Sequence, residues 1–176
     1  SPEHLRFAVL ATDVTLFTVK DGQLHMRLVA VNRPPFFANS QGFPGGLIDP
    51  KETAEEAARR HLAAKACVDP DKVYMEQLYT FSEVDRDPRG RVVAVGYIAY
   101  VPWSSLSHTE QADTAQCWWQ PAEKKITLAY DHNEMLNVAL TRLHSRMTYT
   151  TLIGKLMPKE FTLTELEEMY EATLGH

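Results

Sequence analysis

Between Gly45 and Val68 the chain reads Gly-Gly-Leu-Ile-Asp-Pro-Lys-Glu-Thr-Ala-Glu-Glu-Ala-Ala-Arg-Arg-His-Leu-Ala-Ala-Lys-Ala-Cys-Val, a glycine pair followed by a dense run of ionisable side chains. Gly45 and Gly46 let a ligand approach the backbone where a Cβ would stand in the way. Lys65 offers a compact positive charge that suits a diphosphate. A second cluster, Glu83-Val-Asp-Arg-Asp-Pro-Arg-Gly-Arg91, supplies the guanidiniums of Arg86 and Arg89 for phosphate and carboxylates for ribose hydroxyls. It reads equally well as a charged hairpin turn. Arg33 and Phe43 flank the glycines in sequence and give a cation and a ring for base stacking, although a phenylalanine beside a strand is more often core.

These residues need elements to hold them. Phe7 to Val19 and Leu24 to Val31 are rich in aliphatic and β-branched residues around Lys20-Asp21-Gly22, which predicts a hairpin. Asn32-Arg33-Pro34-Pro35 breaks the second strand, and 36–44 is expected to be loop. A helix is predicted from about Thr53 to Ala66, with Thr53 as N-cap and Glu55 and Glu56 favourable in its first turn. Val73 to Phe81 and Arg91 to Val101 are further strands, and Gln116–Trp119 a short last one. Asp131 to Met147 is a helix whose buried face is marked by Leu136, Leu140, Leu143 and Met147. Tyr149 to Pro158 is a short helix or turn. A final helix follows, opened by a Thr162–Glu165 capping box, striped by Leu163, Leu166, Tyr170 and Leu174, with Gly175 as a candidate C-cap.

Composition bounds the rest. A chain of 176 residues with 44% hydrophobic and 23% charged residues is one globular domain, with room for a fragment of a second. No apolar run approaches the ~18 residues of a membrane span. The opening Ser1-Pro2-Glu3 suggests a trimmed fragment. Cys67 and Cys117 are not spaced as metal ligands and suit a cytoplasmic protein with free thiols. The net charge of −5 comes entirely from Glu160 onward, where five acids stand without a Lys or Arg. Met135 to Lys159 carries Arg142, Arg146, Lys155 and Lys159 and no acid, which reads as a solvated helix face before it reads as a nucleic-acid patch.

The Gly46–Val68 stretch resembles the Nudix box, G-x5-E-x7-R-E-U-x-E-E-x-G-U, with the frame kept at Gly46, Glu52, Arg60, Leu62 and Val68. The resemblance implies an α/β/α sandwich with a mixed sheet, and a Glu52–Arg60 pair that braces the loop; Arg60 is counted among the ligand-facing residues as well. In active members of that family the glutamates after the arginine gather on one helical face at i, i+3 and i+4 and hold divalent metal. His61, Ala64 and Lys65 stand at those positions here: alanine has no ligand atom, the ammonium repels a cation, and one imidazole is a poor partner for a hard ion. Glu52, Glu55 and Glu56 lie a turn or more away. The expectation is therefore no catalytic residue, no metal and no required cofactor.

Further along, Gln77-Leu-Tyr-Thr-Phe81 leading to Asp85–Val92, then Ala129-Tyr-Asp-His132, then Phe161-Thr-Leu-Thr-Glu-Leu166, resemble the NrtR family of Nudix-related transcriptional regulators of NAD metabolism. That resemblance implies a ligand-sensing domain over 1–148 and, over 149–176, a linker with the first part of a truncated winged helix-turn-helix. It implies a homodimeric, cytoplasmic repressor whose operator binding is controlled by ADP-ribose or a related NAD derivative, with little or no DNA binding by this fragment alone. Two readings compete with it. One is a metal-dependent ADP-ribose or NADH pyrophosphatase using acids outside the box, such as Glu110 or Asp113. The other is an interaction scaffold with a vestigial pocket.

Overall fold

The computed structural model describes residues 7–122, 125–149, 153–158 and 160–174. Expectations resting on Lys159 and Gly175 lie outside the described residues, as do the side chains of Leu163 and Leu174.

The strands form a seven-stranded mixed sheet. β1 (Val9–Lys20) and β2 (Gln23–Arg33) make the expected hairpin. Asp21 and Gly22 turn it, both left-handed (φ 51 and 69), the conformation that matches strand twist in a two-residue turn. β1 runs parallel to β6 (Val92–Tyr100) and antiparallel to β2, while β5 (Tyr74–Phe81) pairs antiparallel with β6 at the edge. β7 (Cys117–Pro121) takes one side of β2 along His25–Val29. β1 therefore pairs on the other side of β2, at Met26 to Gln23, and so does β3 (Phe37–Gly42), at Val29 to Arg33. β1 and β2 thus splay apart beyond their shared pairs. β3 lines β2 in that opening and β4 (Gly45–Leu47) lines β1.

Segment 36–44 is thus loop only at its ends, with Phe37–Gly42 in strand. Phe-Ala-Asn-Ser-Gln-Gly has little β-branched content or alternation, and its strand exists because β2 offers it an unpaired ladder. Gly45 is required where it stands, since a Cβ there would overlap Asp13 Oδ1 and the Thr12 carbonyl of the paired strand.

α1 (Ala54–His61) starts at Thr53 with a reciprocal capping box to Glu56, then continues into a π-helical turn (Leu62–Ala66) ended by left-handed Cys67. Ala58, Leu62 and Ala66 pack with Val14, Leu16, Tyr97 and Ala99 on one sheet face. α3 (His132–Tyr149) covers the other through Met135, Leu136, Ala139, Leu143 and Met147, with Leu140 only half-buried. The layering is the expected α/β/α sandwich. A short α2 (His108–Gln111) precedes β7, and α4 (Ile153–Leu156) and α5 (Leu163–Leu174) follow α3. The Thr162–Glu165 capping box is present. The α5 stripe differs from expectation: Met169, Ala172 and Thr173 are buried, whereas Tyr170 is 37% exposed. The reason is packing, because α5 lies back on α3 and β2 and joins their core through Met169, beside Leu156 and Met157. No helix among the described residues is long and apolar enough to cross a membrane.

Candidate functional site

The splay between β1 and β2 opens into a cleft of about 800 Å³. Its floor is Val9, Ala11 and Asp13 of β1 with Val29 and Val31 of β2. Gly45, Gly46, His61, Ala64 and Lys65 form one wall; Arg86, Asp87, Arg89, Tyr130 and His132 form the other. Of the residues predicted from sequence, Arg33, Phe43, Gly45, Gly46, Lys65, Arg86 and Arg89 line this cleft.

Arg60 does not. Its Nε donates to Glu52 at 3.0 Å and its Nη2 to the Leu47 carbonyl at 3.1 Å, and a second Glu52 oxygen accepts as well. Glu52 also accepts from the Asp49 N–H, and with Arg60 foremost these bonds hold its carboxyl down at about 2. The pair is a brace for the box loop, not a cleft wall. Glu55 is engaged by Arg59 and Glu56 by the N-cap.

The helix face that carries acids in active box proteins is turned onto its own backbone. His61 Nε2 donates to the Leu47 carbonyl at 2.9 Å, and the Lys65 ammonium donates to the Gly45 carbonyl. Burial pushes both groups down from their ordinary pKa, and for Lys65 the neighbouring Arg33 charge adds to it. Among the described residues no group of three or more His, Cys, Asp or Glu is placed to hold a metal.

The opposite wall is a linked set of charges. Arg86, with a side chain only 3% exposed, makes a bidentate pair with Asp131 at 2.9 and 2.7 Å and stands 3.8 Å from Asp13. The Phe43 N–H donates to His132 Nδ1 at 3.0 Å, which leaves the imidazole proton on Nε2, 3.4 Å from Asp13 Oδ1. Asp87 holds Arg89 through two side-chain bonds of 2.8 and 3.0 Å; burial would raise the Asp87 carboxyl, but these bonds outweigh it and keep it low. The Arg89 guanidinium then lies 5.4 Å from the centre of the Tyr130 ring.

Phe43 is 2% exposed and its ring stacks on His132, so it is wall and core together and offers no free face for stacking. Tyr130 is the other ring that lines the cleft. It sits half-buried with a left-handed backbone (φ 54), packed against Phe37 at 4.4 Å between ring centres. Sequence reasoning also passed over Asp13, although it is the one charged residue in Phe7–Val19, which was a usable signal. The two acids of the competing hydrolase reading are structural. Glu110 accepts from the Asp69 and Ser107 N–H groups and from Lys72, and Asp113 accepts from Trp119 N. Neither lines the cleft.

Residues 9–138 match the model of the NUDIX domain family. Over 174 residues the chain is 33% identical to the ADPR responsive transcriptional repressor NtrR of Acinetobacter baylyi, covering 96% of this chain and 67% of that protein. The chain belongs to the NrtR family. Its fold matches the crystal structure of Shewanella oneidensis NrtR at 35% identity and a TM-score of 0.84, covering 95% of this chain and 78% of that one. The NUDIX domain of the same Shewanella protein has been solved with ADP ribose; it is 34% identical, with a TM-score of 0.66 over 81% of this chain and 93% of that one. A more distant similarity, 29% over 100 residues, joins 57% of this chain to 57% of the ADP-ribose pyrophosphatase of Methanocaldococcus jannaschii.

In this NrtR-family chain the residues present do not fit the divalent metal that the wider Nudix fold implies. At the three box positions, Ala64 has no donor, the Lys65 ammonium faces the glycine loop, and the His61 Nε2–H is spent on Leu47.

Proposed function

We propose that this chain is the ligand-sensing part of a transcriptional repressor of NAD-metabolism genes, and that its cleft binds ADP-ribose and leaves it intact. The observation that carries this reading is the box helix face: His61 and Lys65 donate to carbonyls of β4, and Ala64 between them offers nothing. Without clustered carboxylates there is no site to polarise a phosphoryl group or activate water. The cleft still suits a nucleoside diphosphate. Lys65, Arg33 and Arg89 meet anionic oxygens, Asp13 and Asp87 meet hydroxyls, and Tyr130 presents a ring beside Arg89. A repressor needs its signal bound and not destroyed.

For ADP-ribose to act as effector it must bind the DNA-competent and incompetent forms unequally. His132, the first residue of α3, lines the cleft, and Asp131 before it pairs with the cleft residue Arg86, while α3 packs with α5, so α3 is the element through which occupancy reaches the segment after residue 149. In this reading 1–148 senses, 149–176 begins the winged helix-turn-helix, and a cytoplasmic homodimer meets two-fold operator DNA.

Calorimetric titration with ADP-ribose, followed by chromatography of the same ligand after incubation with Mg²⁺ or Mn²⁺, tests it. Saturable binding with ligand recovered whole is the expected result. Turnover would replace the sensor with the second reading, a pyrophosphatase, which the similarity to the Methanocaldococcus enzyme favours. No binding would leave a scaffold with a vestigial pocket.

A further inference from the structure

Two cysteines, one of which lines the cleft, have no part in the proposed ligand binding. Cys67 is exposed, lines the cleft, and occupies the left-handed position that ends the π-helical turn. Cys117 is fully buried at the start of β7. Arg27, itself fully buried, gathers the two chain segments: its Nε donates to the Ala66 carbonyl at 3.0 Å and its Nη2 to Cys117 Sγ at 3.2 Å. Arg27 thus draws the Ala66–Cys67 link toward Cys117, and the two thiols are close enough to act on one another. Arg27's remaining contacts are the Ala112 carbonyl and the face of Trp119.

We propose that Cys67 and Cys117 form an oxidation site, closed to an intramolecular disulfide by hydrogen peroxide. The exposed Cys67 thiolate attacks the peroxide, forming an S–O bond as the O–O bond breaks, and the departing oxygen leaves as water after taking a proton. Cys67 is then a sulfenic acid. Cys117 sulfur attacks Cys67 sulfur, the S–S bond forms and the S–O bond breaks, and hydroxide leaves with the Cys117 proton as a second water. Two thiols are oxidised by two electrons and the peroxide is reduced to water. The product ties the end of the box helix to β7 and withdraws the Cys67 thiol from the cleft wall. Desolvation, and the neighbouring Cys117, push the Cys67 thiol above its ordinary range, so oxidation is slow at neutral pH and faster in mild alkali.

The test uses the whole chain, reduced and freed of reductant, then treated with hydrogen peroxide at neutral and at mildly alkaline pH. Free thiols are counted in denaturant and peptides are mapped without reduction. Loss of both thiols together is expected, with a Cys67–Cys117 crosslinked peptide that dithiothreitol reverses and a rate that rises with pH. Cys117→Ala should halt at a dimedone-trappable sulfenic acid on Cys67. Wild-type protein whose Cys117 remains free while Cys67 is over-oxidised, or joins two chains, would overturn the proposal. The readout is sulfur chemistry alone, so it stands or falls separately from ADP-ribose binding.

Discussion

Arg86→Met removes the charge at the centre of the cleft's far wall while keeping most of the stem's volume. The guanidinium makes two charge-assisted bonds to Asp131, at 2.9 and 2.7 Å, with side chains 3% and 18% exposed. Hydrogen bonds to charged groups contribute about 1.5–3 kcal/mol each, and stranding one partner of a buried pair costs about 3–5 kcal/mol. Asp131 keeps some access to water, which places the expected loss near the low end, about 3 kcal/mol. That is roughly two powers of ten in the unfolding constant. At about 2–4 °C per kcal/mol for a domain of this size, the melting temperature should fall by roughly 6–12 °C. Urea unfolding followed by tryptophan fluorescence and far-ultraviolet circular dichroism, at neutral pH, measures it. Asp131→Asn and the double variant close the thermodynamic cycle, and their coupling should exceed about 1 kcal/mol. A loss below that for Arg86→Met, or a double variant equal to the sum of the singles, would show that the pair does not organise this wall.

Other expectations follow from the same geometry. Gly45→Ala should destabilise the fold by at least about 1–3 kcal/mol in the same urea assay, because the new methyl overlaps the Thr12 carbonyl in the β1–β4 pairing. Lys65→Glu alone should give no metal-dependent cleavage of ADP-ribose by chromatography, since Ala64 and His61 still supply no carboxylate. Tyr130→Ala should weaken ADP-ribose binding in calorimetry by roughly tenfold or more, at the ~1–3 kcal/mol of a base–aromatic stack, whereas Phe43→Leu should act mainly on stability. Burial would raise the Glu110 carboxyl, but Lys72 and the Asp69 and Ser107 N–H groups hold it at about 2 against an ordinary 4.5. A depressed carboxyl stabilises the fold above its unfolded pKa and loses that contribution as pH falls. Stability should therefore decline between about pH 4.5 and 2, and Glu110→Gln should flatten that part of the curve.

Much of this molecule is written in short-range signals. The hairpin turn at Asp21-Gly22, the Thr53 and Thr162 caps, the apolar period of α3 and the loss of acids at His61, Ala64 and Lys65 are each legible from a few neighbouring residues, because capping, turn geometry and helical facing act over one or two turns of chain. The short strands β3 and β4 were not legible, since Ala38-Asn-Ser-Gln-Gly42 and Gly45-Gly-Leu47 have no strand preference until neighbours offer them open ladders. The same limit separates Phe43 from Tyr130. Both are aromatic residues that line the cleft, and only the tertiary packing, with Phe43 buried against His132 and Tyr130 half-buried at its left-handed turn, decides which ring keeps an open surface. Sequence by itself determined that the box helix could not gather carboxylates, because no fold adds an oxygen to Ala64. Tertiary structure alone decided where His61 and Lys65 would turn instead, and that Asp13 would meet His132 and Arg86 would meet Asp131. Those partners lie far apart along the chain, and what joins them is the splay of β1 from β2, a backbone geometry that side-chain type does not announce.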